Sequence, residues 1–161
     1  MNRMRTLALV FGTVSLLIIG FILTKNQRTI LPLKCTSYTR YDLGEHDDQL
    51  LLELDQDLHL ESLKYGYFLL NGKAITEGKV TTLNRTVHLG LGERIDNNTY
   101  RYHIQSITAS TTDNTPDTSF NQLMAEFNID PANLQLSMVK IDSNAYLVGG
   151  PVSYLFTCIL Y

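Results

Sequence analysis

Residues 50–61 read LLLELDQDLHLE. The even positions are Leu50, Leu52, Leu54, Gln56, Leu58 and Leu60, and the odd positions after Leu51 are Glu53, Asp55, Asp57, His59 and Glu61. Successive side chains of a strand point to opposite faces, whereas a helix would scatter these leucines around its circumference. The stretch therefore predicts a strand or bent strand pair with one buried face and one wet face.

Downstream, Lys64 to Leu70 and Lys73 to Val80 flank Asn71-Gly72, a dipeptide that tolerates positive φ at both positions and predicts a two-residue hairpin. Leu83, Val87 and Leu89 alternate with Asn84, Thr86 and His88. After a polar loop over 90–98, Tyr100, Tyr102 and Ile104 alternate with Arg101, His103 and Gln105. One segment reads as a helix: Thr115 as cap, Pro116 at the first helical position, Asp117 in the first turn, then Phe120, Leu123, Met124 and Phe127 at i, i+3, i+4 and i+7. A one-sided sheet needs a cover, so this stripe is expected to pack on the sheet rather than form an exposed groove. Leu134, Leu136 and Met138, then Ala145 to Val148, then Val152, Tyr154, Phe156, Cys158 and Leu160 supply the last strands, interrupted by Gly149-Gly150-Pro151.

Upstream, Thr6 to Thr24 (TLALVFGTVSLLIIGFILT) carries no charge and is bounded by Arg3 and Arg5 before it and Lys25 and Arg28 after it. As a helix the run would span about 28 Å, close to the hydrocarbon core of a bilayer. A cleaved signal peptide is the alternative, but no pair of small residues two apart stands at the exit. The basic residues on the two sides nearly balance, so charge alone does not set orientation. A short basic tail before a long apolar run reads as a signal anchor with its amino terminus in the cytoplasm. The expected plan is a cytoplasmic tail (1–5), a membrane helix (6–24), a linker (25–34) and one periplasmic domain (35–161). The fold class is thus α+β: a single N-terminal transmembrane helix followed by a mostly antiparallel β-sheet or partial β-barrel with one covering helix.

Compartment decides how the two cysteines, Cys35 and Cys158, are read. An even pair in an oxidising space predicts one disulfide tying the first strand to the last; the alternative is two free buried thiols. From Cys35 onward there are eight Lys plus Arg and sixteen Asp plus Glu, so the domain is acidic and direct nucleic-acid binding is not expected. No Gly-x-Ser-x-Gly elbow, HExxH, CxxC or glycine-rich phosphate loop occurs, so neither enzyme chemistry, a metal nor a cofactor is expected.

All four histidines, His46, His59, His88 and His103, lie beyond the apolar run. His46 stands within Glu45-His46-Asp47-Asp48, and on a strand His59 shares a face with Asp57 and Glu61. Imidazoles beside carboxylates change charge near physiological acidity, which makes these groups pH-sensing candidates. The alternative is four solvated surface histidines.

Together, the short basic tail, the apolar run, Leu33-Lys34-Cys35, the leucine alternation over 50–60, Leu83-Asn84-Arg85-Thr86-Val87, the Thr-Pro-Asp helix start and the closing Phe156-Thr157-Cys158 resemble the FidL-like family of small inner-membrane accessory proteins. The resemblance implies a ToxS-like role: a companion that binds and stabilises a ToxR-type membrane-bound transcription activator through periplasmic domains. That partner, not this chain, would carry the DNA-binding domain. The implied signal is environmental pH, and the implied output is virulence or fimbrial gene expression. A periplasmic module for an amphipathic, bile-type ligand and a structural subunit of an envelope assembly are the alternatives.

Overall fold

The computed structural model describes residues 31–44, 49–128, 130–151 and 153–161. The chain runs β1 (Leu33–Leu43), β2 (Leu50–Ser62), β3 (Tyr65–Thr76), β4 (Lys79–Arg94), β5 (Thr99–Ala109), α1 (Asp117–Phe127), β6 (Asn133–Asp142), β7 (Ala145–Gly149) and β8 (Tyr154–Leu160). Every consecutive pair of strands is antiparallel, and β8 returns to pair with β1.

That closure corrects the expected fold class. The sheet is neither open nor a partial barrel; it is a closed eight-stranded antiparallel β-barrel. Alternating polarity specifies two faces for each strand but not which strand meets the last one, and here the meeting joins residues more than a hundred positions apart. Among the described residues no helix is long and apolar enough to cross a membrane. The span expected over 6–24, the tail before it and most of the linker lie outside the described residues, as do Glu45, His46, Asp47, Asp48 and Val152.

β2 follows the leucine pattern: Leu50, Leu52, Leu54, Gln56, Leu58 and Leu60 all point inward and are buried. Gln56 is tolerated there because its amide donates to the Tyr41 hydroxyl at 3.0 Å, which satisfies a group that would be costly to bury alone. An eight-stranded barrel is just wide enough for its own side chains, and Phe68, Tyr102, Phe120, Phe127 and the leucines fill it.

The hairpin is displaced from its expected place. Asn71 and Gly72 lie mid-strand in β3, and the turn into β4 is Glu77-Gly78, with φ of 51° and 74°. Gly72 answers to packing: a Cβ there would overlap the Glu53 carbonyl oxygen of β2. Positive φ at two consecutive residues is the signature of the tight turn matching strand twist, and it occurs six residues later than composition suggested. The polar loop is also shorter than expected, since β4 continues to Arg94. Tyr154, expected on the buried face of the last strand, is exposed.

β6, β7 and β8 are ten, five and seven residues long, against eleven to sixteen in β1–β5. The short strands leave one side of the barrel's upper half without sheet, and α1 fills it. Phe120, Leu123, Met124 and Phe127 are its buried stripe, as their spacing predicts. Phe127 meets Tyr41 of β1, Phe68 of β3 and Phe156 of β8 at ring-centroid distances of 6.2, 5.5 and 6.3 Å. One helix reaches three strands around the barrel only by inserting into its mouth, so α1 is a plug rather than an external cover. Pro116, not Thr115, is the N-cap, and no side chain caps the helix.

Candidate functional site

Unequal strand lengths leave a free edge beside the plug. Thr99–His103 of β5 pairs with Asn133–Ser137 of β6, and the Ile104 amide donates to the Ala132 carbonyl. Beyond that point β5 continues along β4 to Ala109, but among the described residues no strand pairs with its other side. The Ser110 amide donates to the Asn84 carbonyl at 2.9 Å. Backbone groups alternate direction along an antiparallel strand, so Thr108 faces β4 while the peptide groups of Ile107 and Ala109 face outward.

A β-bulge creates this arrangement. The register between β4 and β5 shifts between His88 and Leu89, so Ile104 opposes Leu89 while Ile107 opposes Val87. Ile107 thus returns to the inward face, yet it is 44% exposed. Between it and α1 lies an open groove of about 400 Å³ lined by Ile104, Ile107, Asn121, Met124, Ala125, Asn128 and Pro131. An unpaired strand edge next to an apolar groove is the arrangement to which an extended segment of another chain adds as a further strand. The sequence reading missed it. The available signal was the step of three from Ile104 to Ile107, where a step of two would have continued the alternation.

The groove's geometry depends on Arg85, which projects inward from β4. Its Nε and Nη2 donate to the two Asp113 carboxylate oxygens at 3.2 and 3.1 Å, Nη1 donates to Asp117 at 2.7 Å, and Nη2 also donates to the Thr115 carbonyl at 2.6 Å. The guanidinium carbon lies 4.6 Å from the Phe120 ring centroid. One side chain thereby fastens the β5–α1 connection and the first turn of the plug to β4. Burial acts to raise the Asp113 carboxyl, but Arg85 and the Asn84 and Thr115 amides outweigh it and hold the group below the usual carboxylate range.

The structure separates the histidines. His59 lies on the outer face of β2, stacked on Tyr67 at 4.4 Å, with Nδ1 2.9 Å from the Tyr67 hydroxyl and Nε2 2.6 Å from the Tyr161 hydroxyl. Asp57 reaches this cluster only through the Tyr161 hydroxyl, which donates to it at 3.4 Å, and Glu61 pairs with Lys34 at 2.8 Å. His103 lies on β5 and His88 on the neighbouring β4, opposite Ser106. His88 Nε2 is 3.2 Å from the Thr108 hydroxyl, and His103 occupies the last paired rung of β5, opposite Asn133. Asp130 is held below the usual carboxylate range by the Ala132 amide first, then by the Asn133 side chain, with His103 and Arg101 adding to the effect.

Cys35 and Cys158 form the predicted disulfide, fully buried. β1 and β8 pair only through Cys35 with Leu160 and Thr36 with Ile159, so the bridge reinforces the shortest seam of the barrel. Among the described residues no group of three His, Cys, Asp or Glu side chains could hold a metal ion.

No curated protein and no solved structure matches the chain. A family model described as FidL-like putative membrane protein matches residues 72–158, a span that includes Arg85, the free β5 edge, the plug helix and Cys158. That span is more than half of the chain, which therefore belongs to the FidL-like family.

Proposed function

We propose that this protein is a membrane-attached accessory factor whose barrel, on the periplasmic side of the inner membrane, binds and stabilises a ToxR-type transcription activator. The observation carrying the proposal is the unpaired edge of β5 beside the groove under α1. An extended segment of the activator's periplasmic domain adds to that edge, its backbone bonding to the outward groups of Ile107 and Ala109 and its side chains entering the groove. A segment paired in this way is withdrawn from proteases, which require an extended, accessible chain. The buried disulfide supports the oxidising setting, and the uncharged run over 6–24, with the family's description as membrane proteins, supports attachment.

The signal in this reading is acidity. Protonation of His103 places positive charge beside Asp130 where the β5–β6 pairing ends, and protonation of His88 places it on β4 beside Thr108, altering the charge that an incoming strand meets. Asp130 is a charged neighbour of both His103 and Arg101, and Thr108 is the hydrogen-bonding neighbour of His88. The response adjusts activator abundance and, through it, virulence or fimbrial gene expression.

The test is co-purification of the full-length protein with the activator encoded beside it, together with the activator's half-life in cells. Ile107→Lys puts a charge in the groove, and Ala109→Pro removes an outward amide without touching the pairing to β4. Both are expected to abolish co-purification and shorten the half-life while leaving the barrel's circular dichroism unchanged. Retained binding in both variants would exclude this edge. In wild type, binding is expected to differ between mildly acidic and neutral medium, and the difference is expected to vanish in the His88→Ala/His103→Ala double variant. Persistence of the difference would remove these histidines from sensing.

A further inference from the structure

The rim of the barrel opposite the β3–β4 turn gathers the start of β1, the β2–β3 turn, the β4–β5 loop and the β6–β7 turn. Exposed apolar side chains concentrate there. Leu63 lies in the β2–β3 turn with Tyr65 beside it; Ile95 opens the β4–β5 loop; Ile141 is near the end of β6 and is 54% exposed; Tyr161 is 69% exposed. Leu91 is the most exposed of all at 76%, held outward by the β4 bulge in a left-handed conformation with φ of 48° that branched apolar residues seldom adopt. Exposed charged side chains of both signs stand among them: Lys34, Lys64, Arg94 and Lys140 with Glu61, Glu93, Asp96 and Asp142, Lys34 being paired with Glu61. At the far rim the exposed large apolar side chains among the described residues are fewer, Val80 and Tyr154 with Ile107 in the groove, and Asp42, Glu77 and Lys79 stand exposed there.

Scattered exposed apolar residues need no explanation, but a ring of them at one end does. The position of the preceding chain supplies it. The described chain begins at Leu31 and enters the barrel at Leu33, on this rim. Six residues, 25–30, separate Leu31 from the uncharged run 6–24, and fully extended they span at most about 20 Å. A membrane holding the run therefore lies within about 20 Å of this rim, nearer than the tether alone requires of the far one. Aliphatic side chains, tyrosines and lysines together are also the composition of a membrane–water interface, where tyrosine sits at headgroup depth and lysine reaches toward phosphate.

We infer that this rim is a lipid-contacting surface: Leu63, Leu91, Ile95 and Ile141 dip into the headgroup region, Tyr65 and Tyr161 sit at its level, and Lys64 and Lys140 meet lipid phosphates. The barrel then stands upright on the bilayer with the free β5 edge and the plug directed away from it. The inference rests on the membrane attachment proposed above and adds an orientation that attachment alone does not specify.

The chain contains no tryptophan, so single tryptophans report position without background. The full-length protein is reconstituted in vesicles of dioleoylphosphatidylcholine, with or without its brominated analogue, carrying Leu91→Trp, Ile141→Trp, Val80→Trp or Leu16→Trp. Leu91→Trp and Ile141→Trp are expected to lose most of their emission in brominated lipid and to resist aqueous iodide, while Val80→Trp keeps its emission and is quenched by iodide. Leu16→Trp separates the two layers of the argument. If it alone is quenched by brominated lipid, attachment stands and the lipid-contacting rim is refuted; if it is not quenched, attachment itself fails. Leu91→Trp shielded from both lipid bromine and iodide would mean that protein covers the rim, which also overturns the inference.

Discussion

Replacing Arg85 by methionine keeps an unbranched apolar stem and removes the charged head, which isolates what the guanidinium does at the mouth of the barrel. The variant loses the two bonds to Asp113, the bond to the Thr115 carbonyl and the contact with Phe120. The pair with Asp117 contributes little, because that carboxylate is 86% exposed and well solvated. Asp113 decides the outcome: its side chain is 3% exposed, and without Arg85 it becomes a buried charge supported only by backbone amides. Removing one partner of a buried pair costs about 3–5 kcal/mol. Neutralising the orphaned carboxyl at pH 7 instead costs about 4 kcal/mol, from three pH units at 1.4 kcal/mol each, so the two routes agree. For a domain of this size such a loss lowers Tm by roughly 10–20 °C.

The assay is urea and thermal denaturation of the full-length protein in detergent, followed by far-ultraviolet circular dichroism between pH 4 and 8. In wild type the Asp113 carboxyl is depressed, so its contribution is fully present above the ordinary carboxylate range and is lost as pH falls through the lowered value. In Arg85→Met the orphaned carboxyl is raised by burial, so the variant gains stability as pH falls through that raised value. The stability difference between the two proteins is expected to narrow from pH 7 toward pH 4. Adding Asp113→Asn to Arg85→Met is expected to recover much of the loss at pH 7, which a double-mutant cycle reads as coupling. A loss below about 1 kcal/mol, or no recovery in the double variant, would refute the assignment of Arg85 and Asp113 as the fastening of the plug.

Cys35→Ser/Cys158→Ser is expected to lose up to about 4–5 kcal/mol on the loop-entropy estimate and to expose the β1–β8 seam, checked by hydrogen exchange at the amides of β8. Phe127→Ala removes a side chain packed against three strands and is expected to cost about 3–5 kcal/mol, with loss of the near-ultraviolet signal from the plug's aromatic neighbours. Gly72→Val forces a Cβ into the Glu53 carbonyl and is expected to destabilise by about 1–3 kcal/mol in urea denaturation, whereas Gly78→Asn, in an open turn with φ of 74°, is expected to cost much less.

The alternation over 50–60, the inward residues of β4 and β5, the apolar stripe of the helix and the disulfide were legible in the chain, because each rests on a local period or on two cysteines with only each other to pair. Asn71-Gly72 misled because a dipeptide records only what backbone angles are permitted; whether they turn or extend depends on β2 passing against Gly72. Arg85 read as an ordinary basic residue inside a strand, since its partners Asp113, Thr115 and Asp117 lie about thirty positions away and are collected only by folding. His59, Asp57 and Glu61 shared the expected face, yet their partners are tyrosines and a lysine from β3, β1 and the chain beyond β8. The free β5 edge is further from local rules still. It exists because β6 starts too late to follow β5 to its end, and relative strand lengths acquire meaning only once the strands stand side by side. Periodicity thus settles which face of each element is apolar, while closure, strand overhang and the burial of Asp113 arise from long-range pairing that no short window of residues contains.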